Sequence, residues 1–194
     1  MELHASLPMK SGIWRYMCGL ITGLVLCLLA ALSACDAGGA QMQQVHYLDA
    51  SWPVLYHDFS SLKRAADLAV AGKIAGVVAQ TVDQGIPYTD FTFSVSQVLY
   101  TTHHLTVGSS LVIHQTGGVL NNQRFEVRDD PLFQVGEQAV LFLHQFSPGH
   151  YFVVGGPSGR FRVTNGLVAP INDEGIKLSQ PLPMTRFIAQ VQQA

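Results

Sequence analysis

The segment Asp67–Thr81, DLAVAGKIAGVVAQT, constrains the fold more than any other stretch of the chain. Leu68, Val70, Gly72, Ile74 and Gly76 alternate with small or charged positions. That period of two places one set of side chains on each face of a strand. A strand of this length, with Gly72 and Gly76 free to bend or bulge, can serve two sides of a curved sheet. It predicts closure of the sheet into a small barrel, which also removes most exposed strand edges.

The flanking segments agree. SSLKRAA, Ser60 to Ala66, predicts a short helix, with Ser60 as its cap and Leu62, Ala65 and Ala66 on one face. A turn at Gly85-Ile86-Pro87 leads to TDFTFSVSQVLY, with Phe91, Phe93 and Val95 on one face and a phase shift to Val98. SLVIHQ, QRFEV, EQAVLFLHQF and YFVVGG read as further strands, and the continuous apolar run of EQAVLFLHQF predicts a central one. GRFRV and LVAP flank Thr164-Asn165-Gly166, and Asn-Gly is the strongest short hairpin signal. Residues 185–193 predict a helix with Phe187, Ile188 and Val191 on one face. The fold class expected is mainly β: a small antiparallel barrel of about six or seven strands, with a short N-terminal and a C-terminal helix.

The chain's address is written earlier. Lys10 and Arg15 precede a run from Met17 to Ala34 without charge, which is the order of a secretory signal. The run ends in Leu32-Ser33-Ala34-Cys35, which resembles the bacterial lipobox. That resemblance implies a lipoprotein: the Cys35 thiol takes a diacylglyceryl group and a peptidase cuts before it. Two acyl chains make a stable anchor, where one holds only marginally. The organisation expected is a signal peptide over 1–34, a flexible tether over 35–58 and a β-barrel domain over 59–194. The location expected is the extracytoplasmic face of the cell membrane.

Composition then excludes classes of function. Cys18 and Cys27 lie in the segment to be removed, so the mature chain keeps Cys35 alone and cannot form an internal disulfide. Lys10, Arg15 and Glu2 leave with it, and 160 residues remain with a net charge of -3. A nucleic-acid binder would instead show a basic stripe.

Four stretches, ADLAVAGKIAGV, FTFSVSQVLY, DDPLFQVGEQAVLFL and YFVVGGPSGRFRVTNGLV, together resemble uncharacterised secreted or lipid-anchored bacterial domains with an OB-like barrel. The same barrel type occurs in netrin-like and metalloproteinase-inhibitor domains. The resemblance implies a fold and carries no chemistry. Those inhibitors chelate zinc through a free N-terminal cysteine, whereas Cys35 would be acylated.

No catalytic, metal or cofactor motif stands out, and no cofactor is expected. His103, His104, His114, His144 and His150 lack metal-ligand spacing, although His114 and His144 could meet across neighbouring strands. GGPSGR, residues 155–160, lacks both the Lys-Ser/Thr of a phosphate loop and the spacing of a nucleophile elbow, and reads as a tight turn. Residues 116–136 form the longest poorly patterned stretch, and long loops in compact domains are often functional. Arg124, Phe125, Arg128, Asp129, Asp130 and Phe133 are the candidate partner-binding residues there, with Arg128 and Asp130 expected as exposed charges. The function expected is a lipid-anchored, non-enzymatic binding domain whose partner is an envelope protein or a small ligand. The alternatives are an envelope enzyme with a site assembled from scattered residues, or a protease-inhibitor-like module.

Overall fold

Helix α1, Phe59–Ala65, starts where a carboxylate can close its first turn. Asp58 takes an extended backbone conformation and accepts the Ser61 backbone N–H at 2.8 Å. The cap is therefore Asp58 and not Ser60, whose hydroxyl accepts from Arg64 instead. The computed structural model describes residues 44–50, 52–102 and 105–194. The expected signal peptide and Cys35 lie outside the described residues. Among the described residues, no helix is long and apolar enough to cross a membrane.

Past α1, β2 (Leu68–Asp83) pairs antiparallel with β3 (Ile86–Thr101), and β3 pairs antiparallel with β4 (Ser110–Leu120). β6 (Gln138–Ser147) returns antiparallel to β2, and β7 (His150–Val153) lies between β6 and β4. The β4–β7 pair is parallel and closes the circuit into a five-stranded barrel. This is an OB-like arrangement with extra strands. β2 does serve two sides: Leu68–Lys73 pair with both β3 and β6. Its register slips against β3 at Ala71/Gly72 and Ile74/Gly76, the two glycine positions that the sequence marks as bends.

Two apolar cores share the barrel wall. Val70, Ile74, Phe93, Ile113 and Leu141 fill the interior. Ala69, Ala71, Val140 and Phe142 point the other way and are covered by Leu62 of α1, by Phe161, and by Phe187 and Val191 of the C-terminal helix α2 (Met184–Gln193). β6 is buried on both faces from Ala139 to Leu143, which is why its sequence runs apolar without alternation.

The remaining strands extend the sheet. β8 (Arg160–Thr164) follows β6, and β9 (Leu167–Pro170) follows β8. The connecting Asn165 and Gly166 have φ of 51° and 75°, as a type I′ turn requires. β10 (Leu182–Pro183) pairs with β9 and leads into α2. On the other edge, β5 (Gln123–Val127) pairs with β4, and β1 (Val45–Leu48) lies parallel to β5. β1 falls within the stretch expected as a tether.

Residues 116–136 are more regular than their sequence suggests. β4 continues to Leu120, Asn121 and Asn122 turn the chain with φ of 51° and 60°, and β5 returns. QRFEV is β5, as its sequence predicts; what the sequence obscures is the continuation of β4 through Gly117 and Gly118, which interrupt the apolar alternation. Gly117 has φ of +116°, and a Cβ there would lie 2.8 Å from the Phe125 carbonyl oxygen.

Candidate binding face

The helices cover one side of the barrel, including Leu99 and Tyr100 at the end of β3, and leave outer positions on the first half of β3, on β4 and β7 and at the end of β6 open. On β3, Pro87, Thr89 and Phe91 are buried, so alternation puts Tyr88 and Asp90 outside. On β4, Ile113 and Gln115 are buried and His114 is outside. On β7, Tyr151 is buried and Phe152 is outside, and the end of β6 presents His144 and Phe146.

These side chains form a continuous ladder of rings. Tyr88 stacks on His114 with centroids 4.9 Å apart and planes at 15°. His114 lies 5.8 Å from Phe146, Phe146 lies 6.2 Å from Phe152 at 26°, and Phe152 lies 5.1 Å from His144. His150 approaches Phe146 at 6.1 Å. Phe146 and Phe152 are 50% and 41% exposed, an uncommon state for neighbouring phenylalanines on one surface.

An aspartate holds the histidine near each end. His114 Nδ1 lies 2.6 Å from Asp90 Oδ1, and His144 Nδ1 lies 2.9 Å from Asp67 Oδ2. Asp67 Oδ2 also accepts the Gln145 backbone N–H at 2.9 Å. An ionised carboxylate can only accept, so His114 Nδ1 carries the proton of its bond to Asp90. His114 and His144 do not meet across neighbouring strands. β7 runs between β4 and β6, and the two phenylalanine rings stand between the histidines. Among the described residues, no three His, Cys, Asp or Glu side chains gather closely enough to hold a metal ion. His103 and His104 lie outside the described residues.

Beyond Phe152 and His144 the face opens into a groove of about 400 Å3, whose other wall includes Trp52, Val54 and Tyr56. This wall is fixed by the GGPSGR segment, which forms a buried 3-10 turn at Gly156–Gly159. Gly156 adopts φ of +51°, and a Cβ there would lie 2.4 Å from the Trp52 ring. The Ser158 hydroxyl accepts the Tyr56 backbone N–H at 3.2 Å. Ser158 is 1% exposed, so it holds the segment in place and is closed to a substrate.

The six candidate residues of the 116–136 stretch lie elsewhere. Phe133 is buried against Phe91, with the Arg160 guanidinium 3.8 Å from its ring centroid. Asp130 is 5% exposed and accepts from Arg160 Nη1 at 2.8 Å, so it is not an exposed charge. Arg160 also donates to the Pro131 carbonyl and to both oxygens of Glu137. The amide of buried Gln115 adds bonds to the Asp130 and Pro131 carbonyls and accepts the Phe133 N–H. The Asp129 carbonyl accepts from Asn172. Arg124 donates to Glu126 at 2.6 Å, Phe125 stacks on His46 at 5.2 Å, and Arg128 lies over the Tyr47 ring at 4.6 Å. Of the two expected exposed charges, only Arg128 is exposed.

The ladder was partly marked in the sequence by His114 and His144. Phe146 and Phe152 sit on the consecutive strands β6 and β7, but only the pairing of β4 with β7 and with β3 brings them beside His114, Tyr88 and Asp90, and no local pattern shows that. The chain matches no protein-family model and no curated protein.

Proposed function

We propose that this chain is a non-enzymatic binding domain, anchored by lipid at Cys35 on the extracytoplasmic face of the membrane, and that it holds its ligand on the ring-bearing face. The observation that carries the reading is the pair of exposed phenylalanines flanked by two aspartate-oriented histidines. Phe146 and Phe152 are about half exposed and so forgo roughly half of the ~1.5–3 kcal/mol that full burial of each side chain would contribute, and occupancy by a partner is a natural use for them. The lipobox pattern before Cys35 supports the anchor, and the negative mature charge favours a partner other than nucleic acid.

The envelope-enzyme alternative draws on the same Asp–His pairs, which resemble a base and its orienting carboxylate. Such a mechanism also needs a nucleophile at the histidine's outer nitrogen, and among the described residues no hydroxyl hydrogen-bonds Nε2 of His114 or His144.

A pull-down from membranes with the native anchor tests both parts. Phe146→Ala with Phe152→Ala should lose the partner recovered by wild type while the protein stays membrane-bound. Cys35→Ala should leave a precursor 34 residues longer than the mature chain. Full partner recovery by the double variant would reject the face, and normal maturation of Cys35→Ala would reject the anchor.

A further inference from the structure

We infer that the ring ladder takes a neutral, hydroxyl-rich chain, an oligosaccharide, laid across β3, β4, β7 and β6. The inference rests on the reading of this face as the ligand surface, and it names the ligand's chemistry.

Three observations lead to that chemistry. Tyr88, His114, Phe146, Phe152 and His144 follow one another at centroid steps of 4.9, 5.8, 6.2 and 5.1 Å. Tyr88 and His114 cover each other's faces, so the apolar surface open to a ligand is that of Phe146 and Phe152, and it suits ring-sized units that have an apolar face of their own. Next, the ladder carries acceptors. His114 Nδ1 hydrogen-bonds Asp90 Oδ1 and His144 Nδ1 lies 2.9 Å from Asp67 Oδ2, and each carboxylate keeps a second oxygen that can accept. Sugar hydroxyls are donors that match them.

The third observation is charge. Aspartates lie near both ends of the ladder, and no Lys or Arg is in ring contact with it among the described residues. Stacking platforms for single-stranded nucleic acid pair their aromatics with a positive groove, so a polyanion is disfavoured here. A basic peptide is the competing ligand. Asp90 is bonded to His114, and Asp67 accepts the Gln145 backbone N–H beside His144, which weakens the pull of each carboxylate on an external cation, and the neutral chain is favoured.

The test uses the full processed chain in detergent. The probes are two neutral hexasaccharides, one β-1,4-linked in N-acetylglucosamine and one α-1,4-linked in glucose, with an oligothymidylate and an oligolysine as comparators. Calorimetry should give saturable binding of at least one hexasaccharide, little changed between about 0.05 and 0.5 M salt. Phe146→Ala with Phe152→Ala should weaken it by at least ~10-fold, as removal of stacked rings does. Both side chains are substantially exposed, so the melting temperature should hold and certify the fold. No binding of either hexasaccharide, or oligolysine binding that falls steeply with salt, would overturn the ligand class. If the double variant still lost its partner in the membrane pull-down, the face itself would stand. Undiminished sugar binding and undiminished partner recovery in the double variant would reject the face together with its ligand.

Discussion

Arg160 is the residue on which the 128–137 loop depends. It is 1% exposed, and its guanidinium reaches Asp130, Glu137 and the Pro131 carbonyl while lying over Phe133. Removing one partner of a buried ion pair leaves the other uncompensated, at a cost of about 3–5 kcal/mol. Arg160→Met keeps most of the volume and should destabilise the protein by that amount in urea titrations at neutral pH. Burial pushes the Asp130 carboxyl above its ordinary value of 3.8, and Arg160 pulls against that rise. A carboxyl raised in the folded state favours folding fully below 3.8 and loses that contribution as pH rises through its folded value. Without Arg160 the rise is larger, so the deficit of Arg160→Met relative to wild type should shrink between pH 7 and about pH 4. A deficit that grows on acidification would mean that Asp130 does not carry the effect. None of this was legible at Arg160, which closes a Gly-rich turn in sequence. Asp130 and Glu137 lie 30 and 23 residues away, and no local pattern links them to it.

At the scale of elements, local chemistry was legible wherever one strand or turn dictates its own shape. Asn165-Gly166 gives the hairpin, the unbroken apolar run gives β6, and the alternation with glycines gives β2. What stayed hidden depended on pairing between elements: β1 on β5, the continuation of β4 through Gly117 and Gly118 alongside β5, and the ladder assembled from four strands. The two glycines of β2 show how far the sequence signal reaches. Both mark register slips, yet a Cβ at Gly72 would lie 2.1 Å from the Ser94 carbonyl oxygen and 2.7 Å from the Phe93 ring, while one at Gly76 meets nothing within 4 Å. Gly72→Ala should therefore cost about 1–3 kcal/mol through forced shifts in the barrel wall. Gly76→Ala should stay within about 0.5 kcal/mol of wild type. Equal denaturation midpoints for the two variants would show that the close approach at Gly72 relaxes freely.

Across the whole molecule, β2 and β6 divide two cores between their faces, so neither core can melt without loosening a strand that the other needs. Leu68, Val70, Leu141 and Leu143 face the barrel interior, and Ala69, Ala71, Val140 and Phe142 face the helices. Phe187 of α2 sits at the centre of the outer core. It is fully buried, and its ring lies 4.9 Å from Phe161 and 5.2 Å from Phe59. Phe187→Ala removes a fully buried ring from between Phe161 and Phe59, at a cost of about 3–5 kcal/mol. Because the strands are shared, that loss should lower the unfolding midpoint of the entire domain and not of the helix alone. Two probes can test the coupling. Far-UV circular dichroism follows the helices and strands together, and the fluorescence of Trp52, the sole tryptophan of a chain processed at Cys35, follows the segment seated on the Gly156 turn. In Phe187→Ala both probes should shift together and trace one transition, as two-state unfolding requires. An early helix transition that leaves the Trp52 midpoint at its wild-type value would show that the outer core is a separable layer, and that the barrel holds its ring-bearing face without it.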